Sequence, residues 1–310
     1  MDSRTILVTG ASGFVGSALS RQLHDLGVFI VRAPSRQEAP LAAATDWSAA
    51  LAGVDTVIHS AARVHVMQET ASDSLGEFRK VNVEGTLNLA RQAAEAGVRR
   101  FIFISSIKVN GELSSPGQPL RADDAPAPQD AYGRSKLEAE QGLQQLAAAT
   151  GLELVVIRPV LVYGPGVKAN FRSMLGWVQR GIPLPLGALG NRRSLIFVDN
   201  LVDLVLTCID HPLAANQVFL ASDGQDVTLS DLLRALGRAL GRPARLLPVP
   251  PALLRALARL LGRGDMAQRL LGSLQVDIEK NHRLLGWSPP HTLEQGLKLT
   301  ARDFLDNPHR

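Results

Sequence analysis

Short apolar runs recur through the first half of the chain: Thr5–Thr9, Phe29–Arg32, Val54–His59, Phe101–Ser105 and Leu154–Arg158. Each is too short for a helix and reads as a buried strand. Longer stretches with helical spacing lie between them. One runs from Ser74 to Ala96 and stops at Gly97. Another starts at Asp130, which can cap free amides, runs through good helix formers to Ala149 and stops at Gly151. Strands alternating with helices predict an α/β fold with a doubly wound parallel sheet. Past Gly166 the pattern becomes irregular: helices at Phe171–Arg180, Asp199–Asp210 and from a Thr228 cap to Leu240, with short strands at Ser194–Val198, Gln217–Ala221 and Ala244–Pro248. Residues 1–166 are therefore expected to form the sheet domain and 167–310 mainly a smaller lobe, with about 194–212 returning to the sheet.

Composition narrows this little. The 310 residues are 45% apolar and 20% charged with a net charge of +4, ordinary for a globule and without the basic stripe of a nucleic-acid binder. The single Cys208 lies in an apolar run, so no intrachain disulfide can form; a core position and a reducing compartment are expected. The chain enters a strand almost at once, without a signal-peptide core, and no run approaches the ~18 apolar residues of a membrane span. A cytoplasmic protein with no membrane span is the expectation. Pro251–Leu261 is an amphipathic basic helix, expected to pack on the lobe rather than lie on a membrane surface.

Candidate chemistry begins directly after the first strand, with Gly10-Ala-Ser-Gly13-Phe-Val-Gly16 opening a helix. Glycines there permit a tight turn and let backbone amides approach a pyrophosphate at a helix N-terminus, so a dinucleotide-binding Rossmann domain is predicted. After the second strand, where NAD sites usually place a carboxylate, the sequence reads Arg32-Ala-Pro-Ser35-Arg36, with no acid until Glu38. Arginine there suits a 2′-phosphate, which favours NADP(H), with NAD(H) as the alternative. Small residues at Ser60, Ala61 and Ala62 would let the cofactor lie across the strand ends. His59 reads as a packed, hydrogen-bonded histidine, and no metal site is expected because no ligand set stands at a useful spacing. Asn82, on a mostly apolar helix face, needs a buried partner such as a backbone carbonyl.

Tyr132 and Lys136 stand four residues apart on one face of the predicted central helix. A phenol titrates near ~10. A neighbouring ammonium and a cationic nicotinamide would lower it toward the range useful for general acid/base chemistry. The preceding strand delivers Ser105 and Ser106 to the carboxyl end of the sheet, where ligands of such folds bind.

In this order, the glycine loop, Asp46, His59–Ala62, Asn82–Thr86, Ser105-Ser106, Tyr132 with Lys136, Arg158-Pro159, Val162–Gly166, Arg193–Asp199 and Leu285–Pro289 resemble the extended short-chain dehydrogenase/reductase family, in its nucleotide-sugar epimerase, dehydratase and reductase group. The resemblance covers essentially the whole chain. It implies Tyr132 as acid/base, Lys136 on the nicotinamide ribose, and Ser106 on the reacting oxygen. It places Asp46 and Trp47 near the adenine, and adds Ser12, Phe14, Val15, Asn82 and Pro159 to the cofactor contacts. Asn170 and Arg193 match positions that hold a substrate diphosphate, and Lys108 and Asn110 fall among the sugar contacts. A homodimer through the two long helices is also implied.

Departures from the family pattern refine the expected reaction. Dehydratases of the group carry two acids after the catalytic hydroxyl, where this chain has Ile107 and Lys108, so elimination is not expected. The substrate-lobe sequence is most similar to enzymes that reduce a UDP-4-keto-6-deoxy-N-acetylhexosamine. Reduction of a 4-keto nucleotide sugar, UDP-linked and N-acetylated, is thus the main expectation. A 4-epimerase of UDP-hexoses or UDP-N-acetylhexosamines is the alternative, and a non-catalytic dinucleotide sensor is the alternative of another class.

Overall fold

A computed structural model describes residues 4–64, 74–115, 117–262, 264 and 270–308. Strand β1 (Arg4–Thr9) leads into α1 (Phe14–Leu26) and β2 (Phe29–Arg32), and a short α2 (Ser48–Leu51) precedes β3 (Val54–His59). A helical run follows: α3 (Ser74–Phe78), a π-helical segment Arg79–Gly85, and α4 (Thr86–Glu95). Next come β4 (Arg100–Ile104), α5 (Ala131–Thr150) and β5 (Glu153–Pro159). The lobe region adds β6 (Leu161–Tyr163), α6 (Ala169–Gln179), β7 (Arg192–Arg193), β8 (Leu195–Phe197), α7 (Val198–Asp210), β9 (Gln217–Ala221), β10 (Val227–Thr228), α8 (Leu229–Ala239) and α9 (Pro251–Leu260). Two further helices, Glu279–Leu285 and Leu293–Asp306, complete the described elements.

The main sheet has the order β2-β1-β3-β4-β5-β9, with every pair parallel. Alternation along its strands builds two cores. Ile6, Val8, Ile102 and Ile104 face one cluster, with Leu19 and Leu23 of α1 and Leu201 and Val205 of α7. Leu7, Phe101 and Phe103 face the other, with Leu89 of α4 and Ala139 and Leu143 of α5. This is the doubly wound arrangement expected from the apolar runs. The strand order reverses between β1 and β3, so their carboxyl ends form the switch-point crevice at which such sheets bind ligands.

Three details differ from the pattern read in the sequence. The expected helix from Ser74 to Ala96 is interrupted by the π-helical segment, whose wider turn buries Asn82. The strand expected at Ala244–Pro248 is only an isolated bridge between Leu184 and Leu246, because the flanking prolines supply no amide for a ladder. The return to the sheet also continues through β9, which hydrogen-bonds beside β5. In the lobe, β6 pairs with β8 and β7 with β10, while Thr228 caps α8 as predicted.

Candidate active site

The glycine loop makes a cradle at the switch point. Gly10 has φ +73°, and a Cβ there would lie 2.7 Å from the Ala61 amide nitrogen. A Cβ on Gly16 would lie 2.9 Å from the Ser60 hydroxyl and closer still to the Gly10 carbonyl. These two glycines are therefore required by contact, not merely by turn conformation. The Gly13 amide donates to the Gly10 carbonyl (2.9 Å), and no side chain among the described residues caps the N-terminus of α1. Its first-turn amides can receive an anion, so the local chemistry fits a dinucleotide diphosphate. Ser12 is exposed at the loop, whereas Phe14 and Val15 are half-buried and pack partly on the core.

Across the crevice, the Ser60 hydroxyl donates to the Thr9 carbonyl (2.7 Å), holding the loop of Ser60, Ala61 and Ala62 against β1. His59 is fully buried between Phe101 and Phe103, with Nδ1 2.6 Å from the Thr9 hydroxyl and Nε2 2.9 Å from that of Thr86. Burial, aided by the charge of Lys136, pushes its pKa down to about 3. It is a neutral packing residue, as the sequence suggested. Asn82 links two loops through its amide. Its Oδ1 accepts from the Arg63 amide (2.8 Å), while its Nδ2 donates to the Arg63 carbonyl (3.0 Å) and the Ser135 hydroxyl (3.1 Å). Ser135 in turn donates to the Tyr132 carbonyl (2.8 Å). The π-helical segment thus ties the loop after β3 to the first turn of α5.

The loop after β2 and the start of α2 differ from several expectations. The Arg32 guanidinium donates to the carbonyls of Ala50 (3.1 Å) and Ala52, closing the C-terminal end of α2 rather than facing outward for a phosphate. Glu38 folds back on Ser35, accepting from its amide (2.7 Å) while the Ser35 hydroxyl accepts from the Glu38 amide (3.3 Å). Those bonds hold the Glu38 carboxyl below its usual range. The loop therefore carries an acid beside the exposed Arg36. Trp47 is 2% exposed and packed in the core with Leu51 and Leu89, so its ring does not line the crevice. Asp46 is exposed, and its carboxylate accepts from the Ser48 amide (2.9 Å).

At the other end of the crevice, alternation along β4 separates the two serines. Ser105 is buried and its hydroxyl donates to Glu140. Ser106 is half-buried in extended conformation, and its hydroxyl accepts from the Lys108 amide (3.2 Å). Tyr132 lies in the first turn of α5, where Asp130 caps the Gly133 amide (2.7 Å), and its ring meets Phe78 edge-on at 5.9 Å. Lys136, 2% exposed, donates to the Ile104 carbonyl (2.8 Å) and lies 4.2 Å from the Phe103 ring centroid. Burial lowers its pKa to about 7, against a smaller opposing effect of Glu140. The phenol does not follow the expected depression: burial first, and the Asp130 carboxylate second, push Tyr132 upward. Removing a phenolate from water costs more than the surrounding groups recover.

Beneath these groups lies a network that the sequence did not reveal. Glu140, on the buried face of α5, receives Nε (3.0 Å) and Nη2 (2.5 Å) of Arg158, whose Nη1 donates to Asn110 Oδ1 (2.9 Å). Asn110 Nδ2 donates to the Arg121 carbonyl (2.8 Å). Asn110 is 4% exposed, so the expectation that it touches a sugar is corrected: both ends of its amide are held inside the protein. A charged residue at the end of an otherwise apolar strand, Arg158, was the available signal for this network. Pro159, next to it, is buried where β5 pairs with Ala221 of β9.

The remaining candidates occupy the lobe side. Lys108 pairs with Asp130, lies 3.7 Å from Glu112 and stands 5.9 Å from the Tyr132 ring centroid. Arg193 is half-buried in β7, beside Leu274 through an isolated bridge, and burial lowers its pKa against the opposing charge of Glu112. Asn170 is exposed in the first turn of α6, after Ala169 at φ +53°. The structure thus groups Ser106, Lys108 and Tyr132 around the start of α5, and places Asn170 and Arg193 on separate lobe elements.

The chain is similar to several known proteins along nearly its whole length. The chain is 47% identical over 319 residues to a UDP-glucose 4-epimerase of Vibrio cholerae, covering 99% of this chain and 97% of that protein. It is 28% identical over 322 residues to the N-acetyl-α-D-glucosaminyl-diphospho-ditrans,octacis-undecaprenol 4-epimerase of Escherichia coli O157:H7, covering 96% and 94% of the two chains. Among solved structures, a UDP-glucose 4-epimerase from Thermotoga maritima with UDP-glucose superposes with a TM-score of 0.76 at 25% identity, covering 98% of this chain and all of the other. The model of the NAD dependent epimerase/dehydratase family matches residues 6–221. With this match, a six-stranded parallel sheet and a glycine cradle at its switch point, the chain belongs to the NAD dependent epimerase/dehydratase family.

Proposed function

We propose that the protein is a 4-epimerase of a nucleotide-activated hexose, working with NAD(H). The observation that carries this reading is the 47% identity over nearly the full length to a UDP-glucose 4-epimerase. It moves the reading away from the 4-ketoreductase expected from the lobe sequence. Two features of the ribose loop support the change, since Arg32 is engaged by α2 and the Glu38 carboxylate lies beside Ser35. A carboxylate suits a ribose diol better than a 2′-phosphate.

In this reading, Ser106 and Tyr132 hold the oxygen on C4. A nicotinamide held at the glycine cradle would supply the hydride acceptor, and then the donor, at C4 of the sugar. Tyr132 passes the hydroxyl proton in both directions. Its elevated pKa keeps the resting phenol protonated and able to donate to a ketone oxygen; taking a proton requires a positive charge nearby, and Lys136, one turn along the same helix with its pKa lowered to about 7, supplies one in its protonated form. Arg193 and Asn170 serve the substrate diphosphate, and Lys108 screens the negative charge of Asp130 from the phenol.

Purified enzyme should interconvert UDP-glucose and UDP-galactose, or their N-acetylated counterparts, with no net oxidation of nicotinamide cofactor. Nuclear magnetic resonance of the anomeric protons reads both epimers directly. Stoichiometric NADPH consumption with a UDP-4-keto sugar, without epimer interconversion, would reinstate the reductase.

A further inference from the structure

We propose that α9 docks the protein on the surface of an anionic lipid bilayer, lying in the interface without crossing it. The leucines of this helix do not do what its amphipathic pattern suggested. Leu254 is half-buried and packs on the core, but Leu253, Leu257 and Leu260 are 60%, 53% and 84% exposed, and Leu261 just beyond is 65% exposed. Positions 253, 257, 260 and 261 follow helical spacing along one face. Isolated exposed leucines are common, but four in contiguous helical register form a patch that calls for a partner.

Charge identifies the partner. From 232 to 264 the sequence contains seven arginines, at 234, 238, 242, 245, 255, 259 and 263, and no acidic residue. The whole chain carries +4, so the rest of it sums to −3. Arg238, Arg245, Arg255 and Arg259 are all exposed, the last two on α9 itself. Leucines beside arginines that pair with no acid among the described residues, on a short helix, suit a surface that offers hydrocarbon just below anionic headgroups. A second copy of the chain would bring the same excess of positive charge to the contact, which disfavours self-association. No helix among the described residues is long and apolar enough to cross a membrane, so the helix lies on the bilayer.

The inference does not depend on which C4 reaction the enzyme performs.

The test is cosedimentation of the full chain with vesicles of phosphatidylcholine, alone or mixed with phosphatidylglycerol. Binding should require phosphatidylglycerol and fall as salt shortens the screening length from about 8 Å at 0.15 M to about 3 Å at 1 M. Arg255→Gln with Arg259→Gln should lower partitioning roughly thirtyfold, and Leu253→Ser, Leu257→Ser and Leu260→Ser together should abolish it. As a second readout that needs only one mild change, Leu257→Cys can be labelled selectively with an environment-sensitive dye, because Cys208 is buried. Its emission should shift to the blue on phosphatidylglycerol vesicles. Absence of binding to these vesicles, binding indifferent to the leucine substitutions, or an unshifted dye would each overturn the proposal. So would light scattering that shows the leucine variant dissociating into smaller species, since a second copy would then be the occupant.

Discussion

Helices α5 and α9 invert each other's relation between sequence and environment. In α5 the charged residues Lys136 and Glu140 are buried, beside a hydrophobic stripe of Ala139, Leu143 and Ala147. In α9 it is the apolar residues Leu253, Leu257 and Leu260 that face outward. The buried charges have named partners: Ile104 for Lys136, and Arg158 and Ser105 for Glu140. The exposed leucines have no comparable partner among the described residues. Periodicity therefore establishes that each segment is a helix, but not what its faces meet. Side chains placed against their own solvation preference locate the places where the protein handles a ligand or a surface.

The largest expected effect tests whether the α5 charges depend on one another. Glu140 is 1% exposed in its side chain and Arg158 4%, so truncating Glu140 to Ala leaves a buried guanidinium without its carboxylate. Breaking a buried pair in this way costs about 3–5 kcal/mol. Urea denaturation should show the loss, and Glu140→Gln, which keeps hydrogen-bond acceptance, should lose less. Equal stability of Glu140→Ala and wild type would mean that the network does not support the fold.

Next in size is the chemical step. Tyr132→Phe removes only the hydroxyl from a ring that also packs against Phe78, so the fold should persist. Turnover should fall by roughly two orders of magnitude or more, the usual scale of a positioned acid/base. Dinucleotide affinity, measured by fluorescence titration, should be unchanged. Near-normal turnover would remove Tyr132 from the proposed mechanism.

Much of the sheet domain was legible because its strands are continuous apolar runs and its helices have strong stops. Asp130 and Gly151 bound α5 as predicted, and Gly27 ends α1 in the left-handed conformation. The candidate site was legible as a set of positions but less so as a set of contacts. Arg32 looked like a phosphate ligand because its competing acceptors, the Ala50 and Ala52 carbonyls, lie 18 and 20 residues away in sequence. Asn110 looked like a sugar contact because its partner Arg158 comes from a strand 48 residues on. Single-sequence spacing carries no information about such long-range pairings. In the lobe, short strands and prolines offer no periodicity long enough to fix register, which is why Ala244–Pro248 reads as a strand in sequence and forms only a bridge.

A smaller effect should appear in the pH dependence of stability. His59 has its pKa depressed from 6.5 to about 3 in the folded protein, so the unfolded chain binds its proton more readily. Its neutral form contributes fully above about 6.5, and this contribution is lost as pH falls toward 3, at up to about 1.4 kcal/mol per pH unit. Lys136, lowered from 10.5 to about 7, adds no slope well below 7; instead it makes stability rise with pH between about 7 and 10.5. Urea midpoints between pH 5 and 6.5 should therefore decline with acid in wild type and flatten in His59→Gln. A slope retained in the variant would assign the acid sensitivity to other groups.

The smallest expected effect bears on α9, where the comparison between helices can be made within one helix. Leu254 and Leu257 are the same residue type three positions apart, but Leu254 packs on the core whereas Leu257 is 53% exposed. If the outward leucines serve a surface rather than the fold, Leu257→Ser should change the stability of the free protein by no more than about 0.5 kcal/mol, the range of an ordinary surface substitution. Leu254→Ser removes packed apolar area and introduces a hydroxyl, so it should cost more, about 1–2 kcal/mol for a half-buried site. Differential scanning calorimetry of the two variants in dilute, lipid-free buffer measures the contrast. A cost at Leu257 equal to that at Leu254 would show that its face is covered within the folded chain, and the resemblance between α9 and an ordinary packing helix would be restored.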